Sequence, residues 1–345
     1  MCARCVDCMP PDMPATASPM PHLPYVRALP LTALLLSAIC TAPLHAQQYP
    51  VRPIRMVVGF PPGGAADILA RIVGARMAES MRQQVVVDNR TGAGSAIASE
   101  IGARAAPDGY TLVMVTSSHA ANAGLHKKLP FDPVNDFSTI ALVASASQVL
   151  IANGSFPAKN IAELVELAKA RPGQIDYASG GTGSTTHLAG ELLSRMANIS
   201  LRHLPYKGAA PALTAVIGGE VPMQFASVPG GLPQIRAGRV KALAVTSVKR
   251  ATQLPDTPTI AESGYPGYEA ANWYGVVGPA GLPRAIVERL NAELLRALRM
   301  PETSDSITRQ GADPTGSSSQ EFQTYLKSEI VKWTNVIRAA GIRPE

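Results

Sequence analysis

Strand and helix patterns alternate along this chain of 345 residues, and that alternation predicts an α/β protein with parallel sheet and crossover helices. Two stretches repeat one plan, a strand followed by a glycine-rich loop and a capped helix, and so predict two lobes facing each other. The length suffices for two domains with cores of their own. An apolar share of 46% against 16% charged residues places the chain among globular proteins rather than disordered ones.

The first run opens with residues 54–60 (IRMVVGF), a buried strand. Pro61-Pro62-Gly63-Gly64 forms a turn, and a helix follows from about Asp67 with Leu69, Ile72, Val73 and Met77 on one face. Residues 84–87 give the next strand. Gly92-Ala93-Gly94 leads into a small-residue helix that ends near Pro107-Asp108-Gly109, and residues 110–116 give the third strand. The second run begins near Gln148. Asn160 caps a helix over 160–171, with Glu163 three residues on in a capping-box arrangement and Pro172-Gly173 as the stop. Residues 175–178 are a strand, 179–183 a loop, and Ser184 caps a helix carrying Leu188, Leu192, Leu193 and Met196. Strands follow at 201–206, 223–226 and 242–246. From Pro283, suited to a first helical turn, the chain turns helical, most clearly over 285–298 and 322–339.

The N-terminal segment sets the compartment. Arg27, an apolar stretch from Leu29 to Cys40, and Leu44-His45-Ala46 read as a secretory signal cut after Ala46, too short to span a bilayer. The exported chain is then expected in the periplasm. Cys2, Cys5, Cys8 and Cys40 all precede that cut, so residues 47–345 hold no disulfide, cysteine nucleophile or thiolate metal site. The spacing of Cys2, Cys5 and Cys8 suits a metal ligand set but reads as sequence upstream of a better start at Met13 or Met20. Ile39 is too bulky for lipid attachment at Cys40. The net charge of +6 is spread without a run of five or six bases, which argues against nucleic acid as a partner.

Two loops carry the candidate chemistry. In residues 60–67 (FPPGGAAD), glycines between strand and helix let backbone amides converge, and the helix N-terminus adds partial positive charge. That is an anion site without Arg or Lys; a plain turn capped by Asp67 fits the same residues. Residues 179–187 (SGGTGSTTH) repeat the design with added hydroxyls. This second loop lacks the Gly-Lys-Ser/Thr of a phosphate loop, and Thr186 stands where a dinucleotide fingerprint needs its last glycine; Ile97 spoils the Gly92-x-Gly94 loop in the same way. No cofactor motif is present. His187 reads either as a ligand contact or as a packed or capping residue. His119, His126, His187 and His203 lack metal-site spacing, and no nucleophile elbow or other catalytic motif occurs.

The residues Tyr49-Pro50-x-Arg52-Pro53-Ile54, VVGFPPGGAADILAR, Asp88-Asn89-Arg90-x-Gly92-Ala93-Gly94 and Ala106-Pro107-Asp108-Gly109-Tyr110 resemble the tripartite tricarboxylate transporter receptors, the TctC-like or Bug proteins. Further matches are Tyr177-Ala178-Ser179-Gly180-Gly181, Pro205-Tyr206-Lys207-Gly208, Ala237-Gly238-Arg239 and Trp273-Tyr274-Gly275, so the likeness runs from about Tyr49 to the C-terminus. The resemblance implies a type II periplasmic-binding-protein fold with crossings near Ser147 and Ala270. Domain 1 is then 47–147 plus 270–345, and domain 2 is 148–269. It implies a small carboxylate gripped by amides and waters. Carried over, the grip falls on Phe60, Pro62, Gly63, Gly64 and Asp67 from one domain and on Gly181, Thr182, Ser184, Thr185 and His187 from the other. Ser117, Ser118, Asn272 and Trp273 are expected to border the cleft. Ser227 lies in the segment 225–231 (FASVPGG), where many relatives carry an acid or amide; a less polar lining there favours a bulkier or monocarboxylic ligand.

The implied action is hinge closure on the acid, followed by delivery to a two-part membrane permease, with the receptor acting as a monomer. A sensor protein is the alternative partner. A periplasmic enzyme using Asp67 or His187 as base is the alternative class.

Overall fold

The computed structural model describes residues 49–342, so the cleavage position after Ala46 and all four cysteines lie outside the described residues. In chain order the first elements are β1 (Ile54–Val58), α1 (Ala65–Met81), β2 (Val85–Asn89), α2 (Ala96–Ala103), β3 (Thr111–Thr116), α3 (Ser117–Leu125) and β4 (Phe137–Ala146). Next come β5 (Gln148–Asn153), α4 (Ile161–Ala170), β6 (Ile175–Ser179), α5 (Thr185–Ala197), β7 (Leu201–Pro205), α6 (Ala209–Gly218), β8 (Met223–Ser227), α7 (Val228–Arg236) and β9 (Val240–Val245). The chain ends with β10 (Asn272–Pro279), α8 (Arg284–Arg299), α9 (Pro301–Arg309), β11 (Asp313–Pro314) and α10 (Ser319–Ala339).

These elements form an α/β fold with two sheets, ordered β11-β4-β10-β3-β1-β2 and β7-β6-β8-β5-β9. Each contains three parallel strands joined by crossover helices and finished by antiparallel strands. The parallel strands are apolar on both faces because helices cover both. Met56 and Val58 of β1 pack with Leu69 and Val73 of α1, while Val57 packs with Ala98 and Val113 in a separate cluster.

The chain passes from the first sheet to the second between β4 and β5 and returns between β9 and β10. Thr246, fully buried, stitches these passages together. Its Oγ1 accepts from the Gln148 amide at 3.0 Å and lies 3.2 Å from the Ala270 carbonyl, and its own carbonyl accepts from the Ala270 amide at 2.9 Å.

Local signals acted largely as the residues dictate. Asn160 caps α4 by accepting from the Glu163 amide at 2.9 Å, but the Glu163 carboxylate reaches the Lys159 amide, so the reciprocal half of the capping box lands one residue early. Ser184 caps α5 through the His187 amide at 3.2 Å. The helices α3, α6 and α7 have no counterpart among the expected elements, whereas α9 falls within the region from Pro283 onward expected to be helical. The Val228-Pro229-Gly230-Gly231-Leu232-Pro233 start of α7 carries two prolines and two glycines, yet Ser227 caps it and Pro229 sits in its first turn, where no amide partner is needed.

Candidate functional site

Ligand sites in open α/β sheets lie beyond the C-terminal ends of parallel strands, where helices begin. Three such strand ends matter here: β1 with residues 60–64, β3 with Ser117, and β6 with residues 179–184.

The first loop is braced by charge. Gly63, at φ 80°, takes the left-handed backbone that glycine allows without strain, and its amide donates to Asp67 Oδ2 at 2.9 Å. Asp67 is only 2% exposed; its carboxylate also accepts from Asn89 Nδ2 at 3.0 Å and from Arg71 at 2.8 Å. The Arg71 hydrogen bond, aided by those from Gly63 and Asn89, holds this carboxyl below the usual carboxylate range in spite of burial. Asn89 Nδ2 also donates to the Phe60 carbonyl at 2.9 Å. Gly64 caps α1 without any side-chain hydrogen bond, which leaves the first-turn amides open to an anion.

The second loop is braced by imidazoles and hydroxyls. The Gly180 amide donates to Thr186 Oγ1 at 2.9 Å, the Gly181 amide to Ser179 Oγ at 3.1 Å, and the Gly183 amide to His187 Nδ1 at 3.0 Å. These donors are spent inside the loop. Thr182 is exposed and Thr185 half-buried; their amides and hydroxyls are not among the loop's internal bonds.

Between the second loop and the first sheet lies a cavity of about 380 Å³, within the usual range for small-ligand sites. Its walls are Gly180 to Thr185 on one side and Ala93, Gly94, Ser118, Ala121, Asn122, Leu125 and His126 on the other. Residues 118, 121, 122 and 125 share one face of α3. Ala93, Gly94 and Ser95 all have positive φ, a strained turn steadied by Asn122 Nδ2 donating to the Gly94 carbonyl at 2.9 Å. Gly59 lies so close to it that a Cβ there would sit 2.4 Å from Ser95 Cβ, which sets the first loop beside this turn. His126 is the one titratable side chain among the lining residues, so the walls offer amides, hydroxyls and apolar surface and no lysine or arginine. A larger surface groove of about 610 Å³, with Ser80, Arg82 and Arg289, lies at the other end of α1, away from both loops.

The cavity therefore unites Ser118, Gly181, Thr182, Ser184 and Thr185, whereas Phe60, Pro62, Gly63 and Gly64 are not among its walls, and the first loop comes near it only where Gly59 meets Ser95. Ser117 Oγ donates to Asn272 Oδ1 at 2.5 Å, and Asn272 Nδ2 donates to Tyr274 at 2.9 Å, a network at the base of α3. Four expectations need correction. Trp273 is fully buried and donates to Glu329 Oε2 at 2.8 Å under α10; strand alternation turns it away from the face that carries Asn272. Asp67 and His187 are engaged within their own loops, as loop braces rather than free ligand groups. Ser227 is exposed, accepts from the Gly230 amide at 3.3 Å as the α7 cap and is not among the cavity walls, and Phe225 and Ala226 are buried in the core. Ala93, Gly94, Asn122, Leu125 and His126 were not among the residues expected at the cleft, although the 92–94 glycine loop was the available signal.

Two glycine loops with open helix amides, on two α/β sheets joined by two passages, define a solute-binding receptor of the periplasmic-binding-protein type. The chain belongs to the tripartite tricarboxylate transporter receptor family, whose profile matches residues 69–342. It is 35% identical over 311 residues to the protein BugT of Bordetella pertussis, covering 90% of this chain and 95% of that relative. Among solved structures, an R. palustris protein with adipate is 36% identical, covering 86% of this chain and 100% of that one, with a TM-score of 0.70. MatC from Rhodopseudomonas palustris with bound malate is 32% identical, covering 84% and 100%, with a TM-score of 0.67. Among the described residues no helix is long and apolar enough to cross a membrane.

Proposed function

We propose that this protein is an exported, periplasmic receptor that closes on a small organic acid and hands it to a two-part permease of the tripartite tricarboxylate type. The observation that carries this reading is the cavity between the second glycine loop and α3, walled by amides and hydroxyls instead of cations. Uncharged donors at a helix N-terminus stabilise a carboxylate without the strong solvation cost of burying a lysine, and they release it again more readily. The neighbours solved with adipate and malate support a carboxylate ligand.

In this reading residues 47–147 plus 270–345 form one lobe and 148–269 the other, and the passages at Ser147 and Ala270 are the hinge. The acid docks first on the Thr182 and Thr185 donors. Closure then brings the open first turn of α1 to the same ligand and changes the surface shown to the permease. Asp67 is held by Arg71, Asn89 and Gly63, and His187 Nδ1 by Gly183, so neither is placed as a free base, which favours capture over catalysis.

The test is a thermal-shift screen of residues 47–345, stripped of bound solute, against mono-, di- and tricarboxylates and aromatic acids. An acid present at about 100 times its dissociation constant should add roughly 2.7 kcal/mol to stability and raise the melting midpoint. A selective shift supports the reading and names the acid; a flat response across the panel overturns the carboxylate assignment.

A further inference from the structure

Beneath the second loop, two histidines from different elements stack face to face. The rings of His187 on α5 and His203 on β7 have centroids 3.6 Å apart and lie within 8° of parallel. Each ring holds a different part of the loop. His187 Nδ1 accepts from the Gly183 amide at 3.0 Å, so the ring's own proton sits on Nε2, which faces Glu191 Oε1 at 3.6 Å. His203 Nε2 meets Ser179 Oγ at 2.5 Å, and that same Oγ accepts from the Gly181 amide and lies 3.1 Å from the Gly181 carbonyl. One stack thus fixes the loop on both sides of Thr182.

We propose that His187 and His203 are the positioning residues of the ligand loop, and that the loop presents its donors to an acid only while both rings are neutral. This deepens the receptor reading and rests on it for the loop's role. The chemistry is direct. A protonated His187 has no lone pair on Nδ1, so its N–H would face the Gly183 N–H and one of the two must turn away. A protonated His203 must donate to Ser179 Oγ, which leaves the Gly181 carbonyl, 3.1 Å away, as the acceptor for that hydroxyl's own proton. Two cationic rings at this separation also repel. The titratable groups facing the pair are Glu191 on α5, Tyr177 on β6, which donates to Glu191 Oε1 at 2.7 Å, and Tyr268, whose hydroxyl donates to the Ala189 carbonyl at 2.8 Å. Burial would raise the Glu191 carboxyl, but the nearby His187 ring and the hydrogen bond from Tyr177 keep it below its ordinary value, so it offers the pair one counter-charge. Burial, reinforced by repulsion from His187, pushes the His203 imidazole down to about 4.

Residue-resolved amide exchange by NMR, without any ligand, tests this from about pH 8 to about pH 4, with intrinsic rates divided out. In the native sequence the Gly183 amide should lose about tenfold in protection toward the acid end of the range, roughly the loss of one hydrogen bond. His187→Asn supplies at the Nδ1 position an acceptor that does not titrate, so its Gly183 protection should hold across the range. His187→Leu should lack that protection at every pH. The Gly63 amide, held by Asp67, is the internal control and should stay protected throughout. Unchanged Gly183 protection across the titration in the native chain, or full protection in His187→Leu, overturns the proposal. If His187→Leu fails to fold, the native chain and His187→Asn decide alone. The outcome does not depend on which acid binds, so it stands apart from failure of the thermal-shift screen.

Discussion

The two glycine loops present backbone donors in the same way and are braced in opposite ways. The loop after β1 is tied by a buried carboxylate with a guanidinium and an amide around it. The loop after β6 is tied by neutral imidazoles and hydroxyls. Both schemes consume the inner amides and leave the outer ones open. What separates them is how each responds to protons. An ion-paired aspartate keeps its charge well into acid, whereas a stacked imidazole pair must stay uncharged to do its work.

Acid should break the symmetry between the loops most strongly. His203 has its folded-state value lowered from 6.5 to about 4, and so does the buried His119 on α3, which lies under the other cavity wall. For both, the unfolded chain binds the proton more readily. Stability is therefore full above about pH 6.5 and falls as pH drops toward about 4, by on the order of 3 kcal/mol for His119 alone. Asp67 has the opposite history: its folded value lies below 3.8, so its contribution persists above that value and fades only in stronger acid. Urea midpoints should hold level from pH 8 to about pH 6.5 and then fall toward pH 4, and His119→Gln should flatten much of that fall. A flat native profile would contradict the buried-neutral assignment.

A smaller effect sharpens the other side of the comparison. Asp67→Ala removes the acceptor of Gly63, Asn89 and Arg71 together, and should cost about 2 kcal/mol at neutral pH. Asp67→Asn, which keeps an acceptor for Gly63, should cost less. Denaturant midpoints check both, and equal costs would mean that the charge alone matters.

Much of this arrangement was legible from residues alone. The alternation of apolar strands with capped helices gave the α/β class, and Asn160 and Ser184 cap the helices they precede in sequence. Helix α3 was invisible because Ser-Ser-His-Ala-Ala-Asn-Ala-Gly-Leu has no apolar period; its small residues fit between α10 and the cavity, where Gly124 nearly touches Thr334. The turn at Ala93 to Ser95 was hidden for another reason, since left-handed backbone at Ala and Ser has no sequence signature and is imposed by packing against Gly59. Trp273 was a misreading that period-two alternation already forbade, because Asn272 and Trp273 cannot face the same side of one strand. The roles of Asp67 and His187 turned on hydrogen bonds four residues back along their own loops, a geometry that residue type alone leaves open.

The central claim is that both loops take part in holding one acid. Amide chemical shifts of the labelled chain, followed while adding the acid that raises its melting midpoint, test this most directly. The largest changes are expected at Thr182 and Thr185 and at Ala65, Ala66 and Asp67 of α1. Changes confined to one loop, or centred on Arg82 and Arg289 at the far end of α1, would contradict it.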